Sequence, residues 1–133
     1  MVGIFVKVAM IIKSYKELTV WQKSIRLVKE IYLLTEAFPK TEIFGITSQM
    51  RRAAISIPSN TAEGYGRRSH KEYLQFYAIA YGSSLELETQ LTIAKELKFV
   101  TEKEFIKTQY LISEVIKMLY VMVYKRKEDV SRE

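Results

Sequence analysis

The sequence predicts an all-α protein, an antiparallel up-down-up-down four-helix bundle. Apolar residues recur at three- and four-residue steps along four separate segments, which is the spacing of one helix face. Three of the segments open on the S/T-x-x-E/Q pattern of a capping box: Thr19-Val-Trp-Gln22, Ser69-His-Lys-Glu72 and Thr101-Glu-Lys-Glu104. The connections between segments are short, so successive helices should lie side by side and antiparallel. No segment shows a strand signal that rivals these four.

Helix one is expected over Thr19–Phe38, with Trp21, Ile25, Val28 and Tyr32 on its inner face and Ile31, Leu34 and Phe38 widening it. Thr35 interrupts that stripe with a polar group. Trp21 reads as a core anchor. Pro39 stops the helix, because the residue before a proline avoids helical geometry. Residues 39–45 connect to helix two, which runs to about Gly64 with Ile46, Met50, Ala53, Ala54, Ile57 and Thr61 on one side. Pro58 sits in its interior, lacks an N–H, and costs about 3 kcal/mol relative to alanine there. Close approach of another helix across Ala53, Ala54, Ser56, Ser59, Ala62 and Gly64 is the compensation the sequence suggests. Gly64 and Gly66 are expected to unwind the exit, since glycine reaches positive φ freely.

Helix three is expected from Ser69 to about Lys98. Its stripe is Tyr73, Phe76, Tyr77, Ala80, Ser83, Ser84, Leu87, Leu91 and Ala94. Its small middle, Ala78–Ser84, should face Ala54–Ala62. Helix four, from Thr101 to about Lys127, presents Phe105, Ile112, Val115, Ile116, Leu119, Met122 and Val123. The cations at its end suit the negative pole of the helix dipole. The domain reading is therefore a bundle over 15–127. Residues 1–14 form an N-terminal extension, with Met10 as an alternative start, and 128–133 form a frayed tail.

One domain of 133 residues, 48% hydrophobic and 27% charged, is an ordinary globular composition. The chain has no cysteine and a single histidine, His70. That removes disulfides and thiolate sites and leaves few metal or acid–base constellations. The absence of cysteine suits a reducing, cytoplasmic setting. The apolar first twelve residues are too short for a membrane span, which needs about 20. Net charge is +6 and unevenly spread. Residues 1–45 carry 7 basic and 4 acidic side chains, 46–75 carry 5 and 2, and 76–133 carry 9 and 9. An excess of this kind permits an anionic partner, and it also serves plain solubility.

Asn60 and Glu63, one turn apart, and Glu86 are the candidate buried polar network, bonding one another or backbone groups. A catalytic or di-metal role would need Glu-x-x-His motifs, but Arg67 stands three residues before His70. No catalytic residue, metal site or cofactor is expected. The Gly64-Tyr-Gly-Arg-Arg-Ser-His-Lys71 turn lacks P-loop spacing. It nonetheless places Arg67, Arg68 and Lys71 at a helix N-terminus, whose free N–H groups favour anions. Tyr65 and Tyr73 flank that turn and could stack on unpaired bases. Arg51 and Arg52 point about 100° apart on helix two, one toward an acid and one toward a partner. Tyr73, Tyr77 and Tyr81 read either as core or as a subunit contact.

Four stretches carry a family resemblance: Leu18-Thr-Val-Trp-Gln-Lys23, Phe44-Gly-Ile-Thr-Ser-Gln-Met-Arg-Arg-Ala-Ala-Ile-Ser-Ile-Pro58, Asn60-Thr-Ala-Glu-Gly64 and Ile79-Ala-Tyr-Gly-Ser-Ser-Leu-Glu-Leu-Glu-Thr-Gln-Leu91. Over Tyr15–Lys125 the chain resembles the bacterial four-helix-bundle proteins encoded in intervening sequences of 23S ribosomal RNA genes. The accessory protein of diversity-generating retroelements is a more distant relative. Residues 1–12 depart from the family pattern. The resemblance implies a left-handed bundle assembled as a ring-like homopentamer, with no known enzymatic activity. It also implies nucleic-acid binding through a basic surface, as attributed to the retroelement relatives, and an association with ribosomal RNA inferred from gene location.

The expected function is thus a non-enzymatic homo-oligomer that binds RNA or DNA through its phosphates. Arg51, Arg52, Arg67, Arg68 and Lys71 are the first contacts, with no membrane and no small-molecule substrate. The alternative is a protein–protein scaffold without nucleic acid.

Overall fold

The computed structural model describes residues 14–125; the expected extension over 1–13 and the tail beyond 125 lie outside the described residues. Four α-helices follow in order: α1 (Thr19–Glu36), α2 (Ile46–Tyr65), α3 (His70–Glu96) and α4 (Glu102–Tyr120). Short 3₁₀ turns precede α1 (Tyr15–Glu17) and α2 (Lys40–Glu42), and a five-residue π-helical turn (Val121–Lys125) follows α4.

Contacts between neighbours show the antiparallel register. Ser56 meets Ser83, and Gly64 lies against Tyr77. Lys23 pairs with Glu114 and Glu30 with Lys107. Tyr81 meets Tyr120, and Glu88 meets Gln109. In each pair of helices one number rises as the other falls. α1 packs on α2 and α4, α3 packs on α2 and α4, and among the described residues no helix pair packs across a diagonal. The bundle is therefore a closed square of four helices, and its most extensive contact is α2 on α3.

The core fills the middle of that square with Leu27, Ile31, Met50, Ile57, Leu87, Leu91, Ile112, Val115 and Leu119, all without solvent exposure. The stripes expected on α2, α3 and α4 are the ones that face it. The α1 stripe is rotated from the expectation. Val20, Ser24, Leu27, Ile31, Leu34 and Thr35 are buried, whereas Trp21 and Val28 are half-buried and Ile25 and Tyr32 are exposed. Thr35 interrupted the pattern in the sequence because hydroxyls normally cost free energy to bury, and buried Ser24 carries the same cost. Here Ser24 donates to the Trp21 carbonyl at 2.8 Å and Thr35 to the Ile31 carbonyl at 2.7 Å. With the hydroxyls satisfied inside their own helix, the stripe that contains them can face inward. Trp21 is correspondingly a flank residue, edge-on to Tyr15, and not a core anchor.

Helix ends follow local chemistry unevenly. Thr101 forms a complete capping box with Glu104, and Ser69 accepts from the Glu72 N–H. The Thr19 box does not form. Leu18 is the N-cap of α1 without a side-chain bond, and Gln22 reaches back instead to the Lys16 carbonyl at 2.9 Å. The glycine exit of α2 also differs. No glycine among the described residues has positive φ, and Gly66 keeps right-handed geometry. The left-handed position is Lys98, φ 63°, at the end of α3. There Phe99 N–H bonds the Ala94 carbonyl and Lys98 N–H the Lys95 carbonyl, both at 2.9 Å, the two bonds of a Schellman motif. A non-glycine residue in this conformation costs about 1–2 kcal/mol. Lys98→Gly is therefore expected to raise stability by about 1 kcal/mol, read as a higher thermal midpoint. An unchanged or lower midpoint would refute the strain.

α2 stays helical through the buried Pro58. Asn60 donates to the Ser56 carbonyl and Thr61 to the Ile57 carbonyl, each at 2.8 Å. The Ser56 and Ser83 hydroxyls bond at 2.7 Å, so the small segments of α2 and α3 do face each other. This close packing on α3 is the compensation the sequence suggests for the proline's missing hydrogen bond.

Candidate functional site

The antiparallel order brings the start of α1, the α2–α3 turn and the end of α4 to one end of the bundle. The α1–α2 loop and the α3–α4 turn occupy the other. Of the expected basic contacts, Arg67, Arg68 and Lys71 lie at the first end. Arg51 and Arg52 lie nearer the second. Thirteen residues of α2, roughly 20 Å of helical rise, separate Arg52 from the helix end at Tyr65, just before Arg67. The five cations therefore form two groups along the α2–α3 hairpin and not one patch.

Their availability also differs. Arg51 is half-buried, with its guanidinium 4.5 Å from the Tyr32 ring centroid and its Nε donating to Thr35 Oγ1 at 2.9 Å. Such a side chain is held by α1 and contributes mainly to packing between α1 and α2. Arg67 pairs with Glu63 at 3.1 Å and lies 4.5 Å from the Phe76 ring centroid. Arg52, Arg68 and Lys71 are exposed, and among the described residues they make no ion pair or side-chain hydrogen bond. Arg68 and Lys71 flank the Ser69 N-cap of α3, where the helix dipole adds to their positive field.

Arg52 lines a groove of about 440 Å³ between α2 and α3 with Gln49, Ala53, Ser56, Ser83 and Glu86. Arg52 and Glu86 share this groove without forming an ion pair with each other. The three candidate network residues are each engaged one turn away along the chain. Asn60 donates to Ser56, Glu63 accepts from Arg67 on the exposed surface, and Glu86 accepts from Gln90 at 3.2 Å. The hydroxyl pair that links α2 to α3 is Ser56–Ser83, which the residue types alone did not single out.

The tyrosines divide. Tyr77 is buried where Gly64 lets α2 approach α3, and half-buried Tyr73 bonds His70 Nδ1 through its hydroxyl. Tyr81 meets Tyr120 and Tyr124 of the last turn, with ring centroids 5.8–6.1 Å apart. Among the described residues, no three His, Asp or Glu side chains gather as metal ligands would, and no helix is long and apolar enough to cross a membrane.

Fold and surface together define a small antiparallel four-helix bundle with an exposed basic turn at one end. Residues 16–121 match the 23S rRNA-intervening sequence protein family, and the chain belongs to that family. The crystal structure of a protein of unknown function from the S23 ribosomal protein family, from Bacteroides thetaiotaomicron, has the same fold. It superposes with a TM-score of 0.72 at 20% identity, covering 80% of this chain and 99% of that one. No curated protein matches the sequence.

Proposed function

We propose that this chain is a non-enzymatic, self-associating cytoplasmic protein that binds RNA or DNA by its phosphates. The observation that carries the reading is the α2–α3 turn. Arg68 and Lys71 stand exposed and unpaired on either side of a helix N-terminus, with Arg67 beside them, and phosphate oxygens fit such a site. Arg52 adds a second exposed contact on the same hairpin. The contacts are to backbone phosphates, so the protein positions itself on a nucleic acid without reading its sequence. Glu63 and Glu86 have structural partners in this reading and no catalytic step.

Self-association has separate support. The flank of α1 leaves Ile25 43% and Tyr32 39% exposed, and Ile55 of α2 is 41% exposed. Apolar side chains of this kind favour a contact with another copy. Assembly into a ring, five-membered as the family resemblance implies, would repeat the basic turn and multiply its field and avidity.

A binding titration over a salt series, with particle mass followed by light scattering, tests both parts. Each neutralised phosphate is expected to add roughly −0.7 to −0.9 to the log–log slope of affinity against salt. A slope near zero would remove the nucleic-acid reading, and a monomeric mass would remove self-association. A scaffold for another protein is the second reading, favoured by Phe44, which is 94% exposed beside Ile43 on the α1–α2 loop. A protein partner that survives nuclease treatment in a pull-down, with no salt-dependent binding, would select it.

A further inference from the structure

We infer that the outer face of α3 and α4 is a stacking platform for unpaired nucleotides, built from Tyr81, Tyr120 and Tyr124. This inference rests on the nucleic-acid reading above and narrows its partner to one with single-stranded segments. The three rings touch in a cluster, with Tyr120 and Tyr124 at 5.0 Å between centroids. Tyr120 is 42% and Tyr124 43% exposed. Among the described residues, none of the three phenol groups has a hydrogen-bond partner. The π-helical turn Val121–Lys125 begins at this cluster, and such widened turns recur at functional sites.

Two lysines stand beside the cluster. Lys117 and Lys125 are exposed on the same helix segment, and among the described residues neither forms an ion pair. Of the nearer carboxylates, Glu114 is paired with Lys23, and Glu88, which accepts from Gln109 at 2.8 Å, lies about two helical turns from Tyr81. The exposed rings of Tyr120 and Tyr124, beside half-buried Tyr81 and flanked by lysines without ion pairs among the described residues, suit a strand whose bases stack while its phosphates find the lysines. A stacked duplex presents no free base face and gains nothing from the rings. Tyr81 lies ten residues beyond Lys71, roughly 15 Å along α3, so one strand can run from the basic turn onto the tyrosines.

The test compares a fluorescein-labelled oligouridine about twelve nucleotides long with an RNA duplex of equal length. The proteins are wild type, Tyr120→Leu/Tyr124→Leu and Tyr120→Phe/Tyr124→Phe. Stacking is worth about tenfold in affinity per ring. The leucine pair is therefore expected to lose about a hundredfold on oligouridine, to keep its duplex affinity and salt slope, and to keep its mass. The phenylalanine pair keeps both affinities. Equal losses on both probes, no loss on oligouridine, or a change of particle mass in the leucine pair would each overturn the platform while leaving the phosphate reading standing. If the wild-type protein shows no salt-dependent binding to either probe, the phosphate reading fails first and the platform with it. Circular dichroism of both variants verifies that the helices are retained.

Discussion

Gly64→Ala lowers the stability of the bundle, although alanine is the better helix former. In a helix interior the exchange should gain about 0.5–1 kcal/mol. At Gly64 the added Cβ would stand 2.6 Å from Cε1 and 2.8 Å from Cδ1 of Tyr77, and 3.2 Å from the Phe76 Cβ. Tyr77 is buried and its ring has little room to retreat, so α2 and α3 must separate. Overpacking of this kind costs about 1–3 kcal/mol, which exceeds the propensity gain. Gly82→Ala supplies the opposite sign. Gly82 is exposed on α3 with nothing within 4 Å of an added Cβ, so only the gain of about 0.5–1 kcal/mol remains. The thermal midpoint should fall by several degrees for Gly64→Ala and rise by a few for Gly82→Ala. A rise for both would show that α2 and α3 do not approach closely at Gly64. The account of how Pro58 is accommodated would then lose its basis.

Arg68→Glu/Lys71→Glu should reduce nucleic-acid affinity by about a hundredfold at 0.1 M salt, since each lost phosphate contact costs nearly tenfold there. The log–log salt slope should become shallower by about 2 for each copy engaged. Both side chains are exposed and unpaired, so the fold should be unaffected. Lys40→Glu is the control. Lys40 is an exposed cation on the α1–α2 loop, at the opposite end of the bundle. It should leave the slope unchanged if the turn is the contact. Equal effects from the two variants would mean that only net charge matters, and that the basic turn is a solvated surface.

Much of this architecture was legible in the residues because it is local. The Thr101 box and the Ser69 cap form as their spacing predicts, since the bonds lie within a single turn. The Thr19 box has the same letters but no cap bond. There the chain enters α1 through the Tyr15–Glu17 turn, and Gln22 is drawn to that turn's carbonyl. The small segments of α2 and α3 could be matched because Pro58 demanded a close neighbour. The basic turn was legible as a cluster of cations, but the fate of each cation was not. Arg51 is claimed by Tyr32 and Thr35 of α1, and Arg67 by Glu63 and Phe76. Cation–π and hydrogen-bond partners of that kind depend on which helix lies alongside.

By itself the sequence determined four helices, their approximate ends, the inner faces of α2, α3 and α4, and the facing of the small segments Ala54–Ala62 and Ala78–Ser84. These follow from a 3.6-residue period and from the size of side chains, properties each segment holds alone. Only the tertiary structure decided which of two apolar stripes on α1 turns inward, which arginines stay free, and that Tyr81 meets Tyr120 and Tyr124. Those outcomes depend on rotation and register between helices, where candidate contacts differ by little energy and the packing of all four elements settles them together.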